Sequence, residues 1–209
     1  MSRVKVKICG VRSLLAAKAA IKGGADFVGL NFIPTSKRKI DPELAKDIRQ
    51  IAKGRVLVVG IFQDQPIEQV NSLISKLGLD LVQLHGVEDE DYMQQVKVPI
   101  VKSFTIAPDD DLQVLALKLN SSKAQYILVD RLSQGEGEAV ALGSLSKLIP
   151  HLQKKLFLAG GLVPENVATK VEQLKPFVVD VAGGIETNGE QNVMKIQQFI
   201  YEAKGGREK

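Results

Sequence analysis

Two residues, Cys9 and Asp130, are of types that can move protons, and each stands at the end of an apolar run. Cys9 is the only cysteine and closes the run 4–9, and Asp130 directly follows 127–129. A thiolate can accept a proton, and a carboxyl group that burial keeps protonated can donate one. Together they would form an acid–base pair that needs neither metal nor cofactor. Each also has a structural interpretation: the thiol could be a packed small hydrophobe, and the carboxylate could cap the next turn.

Two pairs of glycines could bind a phosphate group. Gly160 and Gly161 follow the seventh apolar run, and Gly183 and Gly184 follow the eighth. Glycine lets the backbone approach a ligand closely, and backbone N–H groups suit a phosphate. Either pair alone would indicate an ordinary turn, but two pairs at these places favour a phosphate site.

Arg38 and His85 could contact a ligand with their side chains. Arg38 stands in the basic stretch 37–39, which is either a solvated loop or a clamp for a carboxylate. His85 ends the fourth apolar run, with no His or Cys nearby, so we expect no metal there. It could contact a substrate or satisfy a loop carbonyl. The acidic run 109–111 indicates the start of the fifth helix rather than a metal site.

The apolar pattern predicts the elements that must position these residues. Short runs rich in Val, Ile, Leu and Phe alternate with amphipathic stretches, including 13–22, 42–53, 67–77 and 193–203. The apolar runs are residues 4–9, 27–32, 57–62, 81–85, 100–104, 126–130, 156–159 and 178–181. The weakest unit is the sixth, where we expect only a short helix near 145–149.

Eight such units predict an α/β fold, a (β/α)8 TIM barrel, as a single domain over residues 1–209. Doubly wound open sheets also alternate strand and helix, but they usually have about five or six strands. In a barrel, the carboxyl ends of all strands meet at one mouth, where active sites lie. The polar strand ends described above would therefore converge although they are distant in sequence.

Composition limits the partners. The 28 basic and 24 acidic residues give a net charge of +4, spread along the chain, with no run basic enough to indicate nucleic acid binding. One cysteine cannot form an intramolecular disulfide, and no apolar run approaches the roughly 20 residues of a membrane span. We expect a cytoplasmic protein, monomeric or homodimeric, that acts on a small phosphorylated substrate.

In order and spacing, the motifs resemble those of the phosphoribosylanthranilate isomerase family along the whole chain. The segments that carry the resemblance are Lys7-Ile8-Cys9-Gly10, Phe32 with Ser36 and Arg38, Val59-Gly60-Ile61-Phe62, Gln83-Leu84-His85-Gly86 with Glu88, Leu158-Ala159-Gly160-Gly161-Leu162, and Asp180-Val181-Ala182-Gly183-Gly184-Ile185-Glu186. The resemblance implies an Amadori rearrangement of N-(5-phosphoribosyl)anthranilate, a step of tryptophan biosynthesis.

The resemblance also implies roles for individual residues. Asp130 would protonate the ring oxygen of the sugar, and Cys9 would then remove the proton from C2. Arg38 would hold the anthranilate carboxylate, and the two glycine pairs would hold the phosphate. Three further side chains would contact the substrate, namely Gln83, His85 and Asp180.

The chain departs from the family pattern in two loops. A G-G-T-G motif is usual after the sixth strand, whereas 134–137 reads Gln-Gly-Glu-Gly, and Val140 and Ala141 replace aromatic and acidic residues. The usual G-x-K-D after the eighth strand is Gly-Glu-Gln-Asn at 189–192. The altered sixth loop favours one alternative, a degenerate barrel that binds a phosphorylated metabolite or a partner protein without catalysis. Another alternative is a related isomerase of histidine biosynthesis, but that class would place an aspartate where this chain has Cys9.

Overall fold

The computed structural model describes residues 3–107, 110–130 and 138–206, and in them eight parallel strands close into a barrel. Each strand pairs with the next, and β1 pairs with β8, with Lys7 beside Asp180 in the register. This confirms the predicted (β/α)8 barrel. The strands are β1 Lys5–Ile8, β2 Phe27–Asn31, β3 Leu57–Phe62, β4 Leu81–Leu84, β5 Ile100–Phe104, β6 Tyr126–Val129, β7 Lys155–Leu158 and β8 Val178–Val181.

Helices follow the strands and pack around the barrel. They are α1 Leu14–Gly23, α2 Pro42–Ala52, α3 Ile67–Leu77, α4 Glu90–Gln94, α5 Leu112–Ser121, α6 Glu138–Leu148, α7 Pro164–Leu174 and α8 Val193–Ala203. Between β8 and α8, a short hairpin pairs β9 Glu186–Thr187 with β10 Glu190–Gln191. In the described part of the chain, no helix has both the length and the apolar character that a membrane crossing requires.

The starts of several helices follow from local chemistry. The carboxylate of Asp41 accepts hydrogen bonds from the backbone at the start of α2, where Pro42 occupies the first turn. Asp111 caps α5 in the same way, so the prediction that the acidic run begins the fifth helix is correct for Asp111, while Asp109 lies outside the described residues.

The prediction of a short sixth helix was wrong. Helix α6 covers Glu138–Leu148, about two turns more than the predicted 145–149. A glycine such as Gly143 costs a helix interior only about 1 kcal/mol, which the packing of the helix against the barrel can offset. The completely buried Leu145 and Leu148 supply that packing.

The barrel interior has an apolar layer and, nearer the carboxyl ends of the strands, a polar layer. The apolar layer is formed by Phe27, Val59, Leu81, Val101, Leu128, Phe157 and Val178. Because side chains alternate along a strand, residues two positions further on face the interior one layer higher. On β4 and β8 these are Gln83 and Asp180, and both are buried, as is Lys7 on β1. The apolar layer therefore forms the floor of the cavity described below.

Candidate active site

All the residues predicted from the sequence to form the site line a single cavity of about 1300 Å³ at the carboxyl ends of the strands. They are Cys9, Arg38, Gln83, His85, Asp130, Gly160, Gly161, Asp180, Gly183 and Gly184. The altered sixth loop, residues 131–137, lies outside the described residues. The barrel thus brings together residues that are up to 175 positions apart, from Cys9 to Gly184.

Cys9 directly follows β1 and is held in place by its backbone, whose N–H donates to the carbonyl of Val181 at 2.8 Å. The residue is partly exposed to the cavity. Burial raises the pKa of its thiol to about 11, and the negative charge of Asp180 acts in the same direction. The charges of Lys7 and Arg38 and a hydrogen bond from Lys7 oppose this rise. In the ligand-free protein, Cys9 is therefore a thiol at neutral pH.

Lys7 is a residue of the site that the sequence reasoning passed over. It is completely buried, and its Nζ donates a hydrogen bond to Oδ2 of Asp180 at 2.8 Å. The signal was available: Lys7 stands two residues before Cys9, so both side chains face the barrel interior. A lysine there requires a partner, because an unpaired buried charge is costly.

Asp180 was predicted to contact the substrate. In the structure, one of its carboxylate oxygens is hydrogen-bonded to another side chain of the protein. Its Oδ2 is held by Lys7, whereas Oδ1 is buried and has no hydrogen-bond partner among the described residues. Burial raises the pKa of Asp180, and the charge and hydrogen bond of Lys7 offset part of that rise.

Arg38 is not simply a solvated loop cation, because it pairs with Glu186. Its Nε and Nη2 donate to the two carboxylate oxygens of Glu186 at 2.6 and 2.8 Å. The hydrogen bond from Arg38 is the main reason why the pKa of Glu186 lies below its usual value. A Cβ on Gly10 would lie 2.7 Å from Cδ of Arg38, so glycine is needed where the arginine crosses the first loop.

His85 is a neutral residue that directly follows the carboxyl end of β4. Burial, together with the positive charge of the nearby Lys7, lowers its pKa from 6.5 to about 4. The Nε2 atoms of His85 and Gln83 are in close contact. A neutral imidazole offers one donor and one acceptor, so His85 is suited to hydrogen bonding with hydroxyl groups.

A buried ion pair supports the loop that carries His85. Lys102 Nζ donates to Oε2 of Glu88 at 2.8 Å and to the carbonyl of Gly86 at 2.6 Å. The other oxygen of Glu88 accepts a hydrogen bond from the backbone N–H of Asp64. The pair thus ties the loops after β3 and β4 to β5. Lys102 was also missed, because a lysine within an apolar run gives no sign of its partner.

The two glycine turns touch each other. A Cβ on Gly184 would overlap the carbonyl oxygen of Leu162, whereas a Cβ on Gly161 would meet nothing within 4 Å. Gly160 and Gly161 have φ of 85° and 67°, in the left-handed region that glycine adopts without strain. Close packing of the two turns brings their backbone groups to the same side of the cavity.

The atypical residues after β8 have structural partners. Gln191 accepts a hydrogen bond from the backbone N–H of Arg12 at 3.2 Å and donates to the carbonyl of Cys9 at 3.5 Å. Asn192 caps α8 by accepting hydrogen bonds from the backbone of Met194 and Lys195. Gln191 therefore links the eighth loop to the loop that follows β1.

Within the described ranges, no group of three or more His, Cys, Asp or Glu residues could hold a metal ion.

Comparisons with known proteins, by sequence and by structure, all point to one enzyme family. Residues 6–202 match the sequence profile of the family described as N-(5'phosphoribosyl)anthranilate (PRA) isomerase. The chain is 39% identical over 199 residues to N-(5'-phosphoribosyl)anthranilate isomerase of Oceanobacillus iheyensis, covering 93% of this chain and 94% of the relative.

Two solved structures have nearly the same fold. Phosphoribosyl anthranilate isomerase from Thermotoga maritima superposes with a TM-score of 0.86 at 32% identity, over 97% of this chain and 99% of that one. A structure of the isomerase with reduced 1-(o-carboxyphenylamino)-1-deoxyribulose 5-phosphate superposes with a TM-score of 0.83, also at 32% identity and with the same coverage.

Proposed function

The chain belongs to the N-(5'-phosphoribosyl)anthranilate isomerase family, and we propose that Cys9 and Asp130 are the base and the acid of its reaction. The protein is an aldose–ketose isomerase of tryptophan biosynthesis. It converts N-(5'-phosphoribosyl)anthranilate into 1-(2-carboxyphenylamino)-1-deoxyribulose 5-phosphate. The observation that supports the proposed roles is that both residues line one cavity at the mouth of the barrel.

The first step opens the sugar ring. The carboxyl group of Asp130 donates a proton to the ring oxygen, the bond between that oxygen and C1 breaks, and the lone pair of the anthranilate nitrogen forms a C1=N double bond. The product is a protonated Schiff base, whose nitrogen keeps its hydrogen and carries a positive charge, with a hydroxyl group where the ring oxygen was. General acid catalysis of this kind contributes roughly a hundred- to ten-thousandfold.

The second step moves the double bond. The thiolate of Cys9 removes the proton from C2, the C–H electrons form a C1=C2 bond, and the C1=N electrons return to nitrogen. The resulting enolamine loses the proton of its C2 hydroxyl and gains one at C1, which gives the ketone. No net proton is consumed over the whole reaction.

The remaining side chains bind and orient the substrate. Arg38 pairs with the anthranilate carboxylate through the edge of the guanidinium that Glu186 does not occupy, since Glu186 uses only Nε and Nη2. Gln83 and the neutral His85 face the sugar hydroxyls. The touching turns after β7 and β8 bind the phosphate through backbone N–H groups.

Turnover of phosphoribosylanthranilate, followed by its fluorescence, tests these roles. We expect Cys9→Ala and Asp130→Asn each to lower kcat/KM by about a hundredfold or more, with unchanged circular dichroism. Asp47→Asn, an exposed carboxylate on α2, is the matched control and should turn over like wild type. Folded wild type without turnover would indicate a barrel that only binds its ligand. Undiminished turnover of either site variant would refute the role of that residue.

A further inference from the structure

Lys7 lies directly below the proposed base but takes no part in the reaction described above. It stands two residues before Cys9 on β1, so the two side chains face the interior in consecutive layers. Its side chain has zero exposure, so it cannot touch a ligand in the cavity. Its Nζ lies 2.8 Å from Oδ2 of Asp180, which is itself almost completely buried.

Stability alone does not account for a charged pair at this place. Removing two charges from water is expensive, and replacing a buried ion pair by apolar residues of similar volume is often neutral or stabilising. The neighbouring apolar layer, which includes Phe157 and Val178, could have continued into this position. The arrangement is also incomplete, because Oδ1 of Asp180 is buried without a hydrogen-bond partner.

Lys7 has two acidic groups within its reach. It donates its hydrogen bond to Asp180, and its charge and hydrogen bonding also act on the thiol of Cys9, lowering the pKa of that thiol. The negative charge of Asp180 acts on Cys9 in the opposite direction. One ammonium group is therefore shared between a carboxylate that holds it in the ligand-free protein and a thiol that must become a thiolate.

We propose that Lys7 is a positioning residue whose buried ammonium stabilises the thiolate of Cys9, and that Asp180 competes with the thiolate for this ammonium. This inference rests on the proposed function in taking Cys9 as the base. As the thiol ionises, Nζ of Lys7 becomes the counter-ion of the sulfur.

The other charged groups around Cys9 do not replace Lys7. Arg38, from the loop after β2, also favours the thiolate, but its guanidinium is paired with Glu186. His85, facing from β4, is neutral because its pKa is about 4. Asp130, facing from β6, adds negative charge near Asp180 and so favours protonation of that carboxylate.

Titration of the thiol in the absence of substrate tests the proposal. Because Cys9 is the only cysteine, thiolate absorbance near 240 nm and alkylation by iodoacetamide report on this residue alone. We expect Asp180→Asn to lower the midpoint of ionisation by at least about one pH unit, which is about tenfold faster alkylation at pH 8. We expect Lys7→Met to raise the midpoint by a similar amount. Unchanged midpoints in both variants would overturn the proposal.

A second comparison guards against misfolding of Lys7→Met, which leaves a buried carboxylate unpaired. The double variant Lys7→Met/Asp180→Asn removes both charges and differs from Asp180→Asn only at Lys7. Its midpoint should lie at least about one pH unit above that of Asp180→Asn. Equal midpoints would show that Lys7 only fills space. Lys102→Met/Glu88→Gln, which removes the other buried lysine pair, is the matched control and should titrate like wild type.

Turnover separates this proposal from the proposed function. Lys7→Met should lower kcat at pH 8 far more than it changes KM, and part of the loss should be recovered as the pH is raised. If Cys9→Ala turns over normally, the proposed base is wrong whatever the titrations show. If Cys9→Ala is inactive but the titration midpoints coincide, Cys9 remains the base and the role given to Lys7 is refuted.

Discussion

Arg38 and Glu186 are held edge to edge, with Nε and Nη2 of the arginine donating to the two carboxylate oxygens at 2.6 and 2.8 Å. The pair joins the loop after β2 to the hairpin after β8 across the mouth of the barrel. A guanidinium carries five N–H donors, so the edge formed by Nη1 and Nη2 stays available to a second carboxylate. With Arg38 in its proposed role, Glu186 orients the arginine toward the substrate rather than competing with it.

Glu186→Gln should weaken substrate binding without slowing the chemistry. A neutral amide cannot accept both hydrogen bonds, so Arg38 would lose its fixed orientation. We expect KM to rise about tenfold, or roughly 1.4 kcal/mol, with kcat within about twofold of wild type. Glu190→Gln, which removes the exposed partner of Arg12 in the same hairpin, should leave KM unchanged. A lower KM for Glu186→Gln would show that Glu186 competes with the substrate.

The sequence predicts this fold well because the barrel depends on local pattern. Each apolar run of Val, Ile, Leu and Phe is a strand whose bounds lie within one residue of the predicted ones. Since strand ends of a barrel converge, a polar residue at the end of a run can be assigned to the site. Cys9, His85 and Asp130 were found in this way, and all three line the cavity.

Pairings between distant residues could not be read from the same pattern. Arg38 and Glu186 are 148 positions apart, and Lys7 and Asp180 are 173 apart, so only closure of the barrel brings them together. The carboxylate of Glu186 follows a glycine turn and has no periodic signal of its own. The sixth helix was underestimated for a different reason, since its burial against the barrel outweighs the weak local preference of its glycine and serine residues.

His85 should make the protein less stable in acid. Its pKa of about 4 lies below the ordinary value of 6.5, so the unfolded state binds more protons than the native state between these pH values. Stability contributed by neutral His85 is present above pH 6.5 and is lost as the pH falls toward 4. Between pH 7 and pH 5, the unfolding free energy of wild type should fall by roughly 2 kcal/mol more than that of His85→Asn.

Urea unfolding at the two pH values measures this difference. His151→Asn removes an exposed histidine and should keep the full pH dependence of wild type. An equal loss of stability in wild type and His85→Asn would contradict the desolvation of His85 that the structure shows.

The Lys102–Glu88 pair should show strong coupling in stability. Both side chains are nearly inaccessible, at 7% and 1%, so removing one partner leaves a buried charge. We expect Lys102→Met and Glu88→Gln each to cost about 3 kcal/mol or more, and the double variant to cost clearly less than their sum. Lys46→Met, which breaks the exposed pair with Glu43, should change the unfolding free energy by less than about 0.5 kcal/mol. Additive costs in the double variant would contradict the pairing.

Gly184→Ala should separate the two glycine turns and weaken phosphate binding. The new Cβ would overlap the carbonyl oxygen of Leu162, which is backbone and cannot rotate away. The turns after β7 and β8 must then move apart, and their N–H groups no longer converge on one phosphate. We expect KM to rise at least about tenfold, which is 1.4 kcal/mol, and inhibition by inorganic phosphate to weaken in parallel.

Gly143→Ala distinguishes this effect from a general cost of replacing glycine. A Cβ on Gly143 would meet nothing within 4 Å, and the residue lies inside α6. Alanine there should raise the unfolding free energy by up to about 1 kcal/mol, and it should leave KM and the inhibition by inorganic phosphate unchanged. A folded Gly184→Ala protein with unchanged KM and unchanged inhibition by phosphate would mean that the contact between the turns does not build the phosphate site. The phosphate would then have to be bound elsewhere in the cavity.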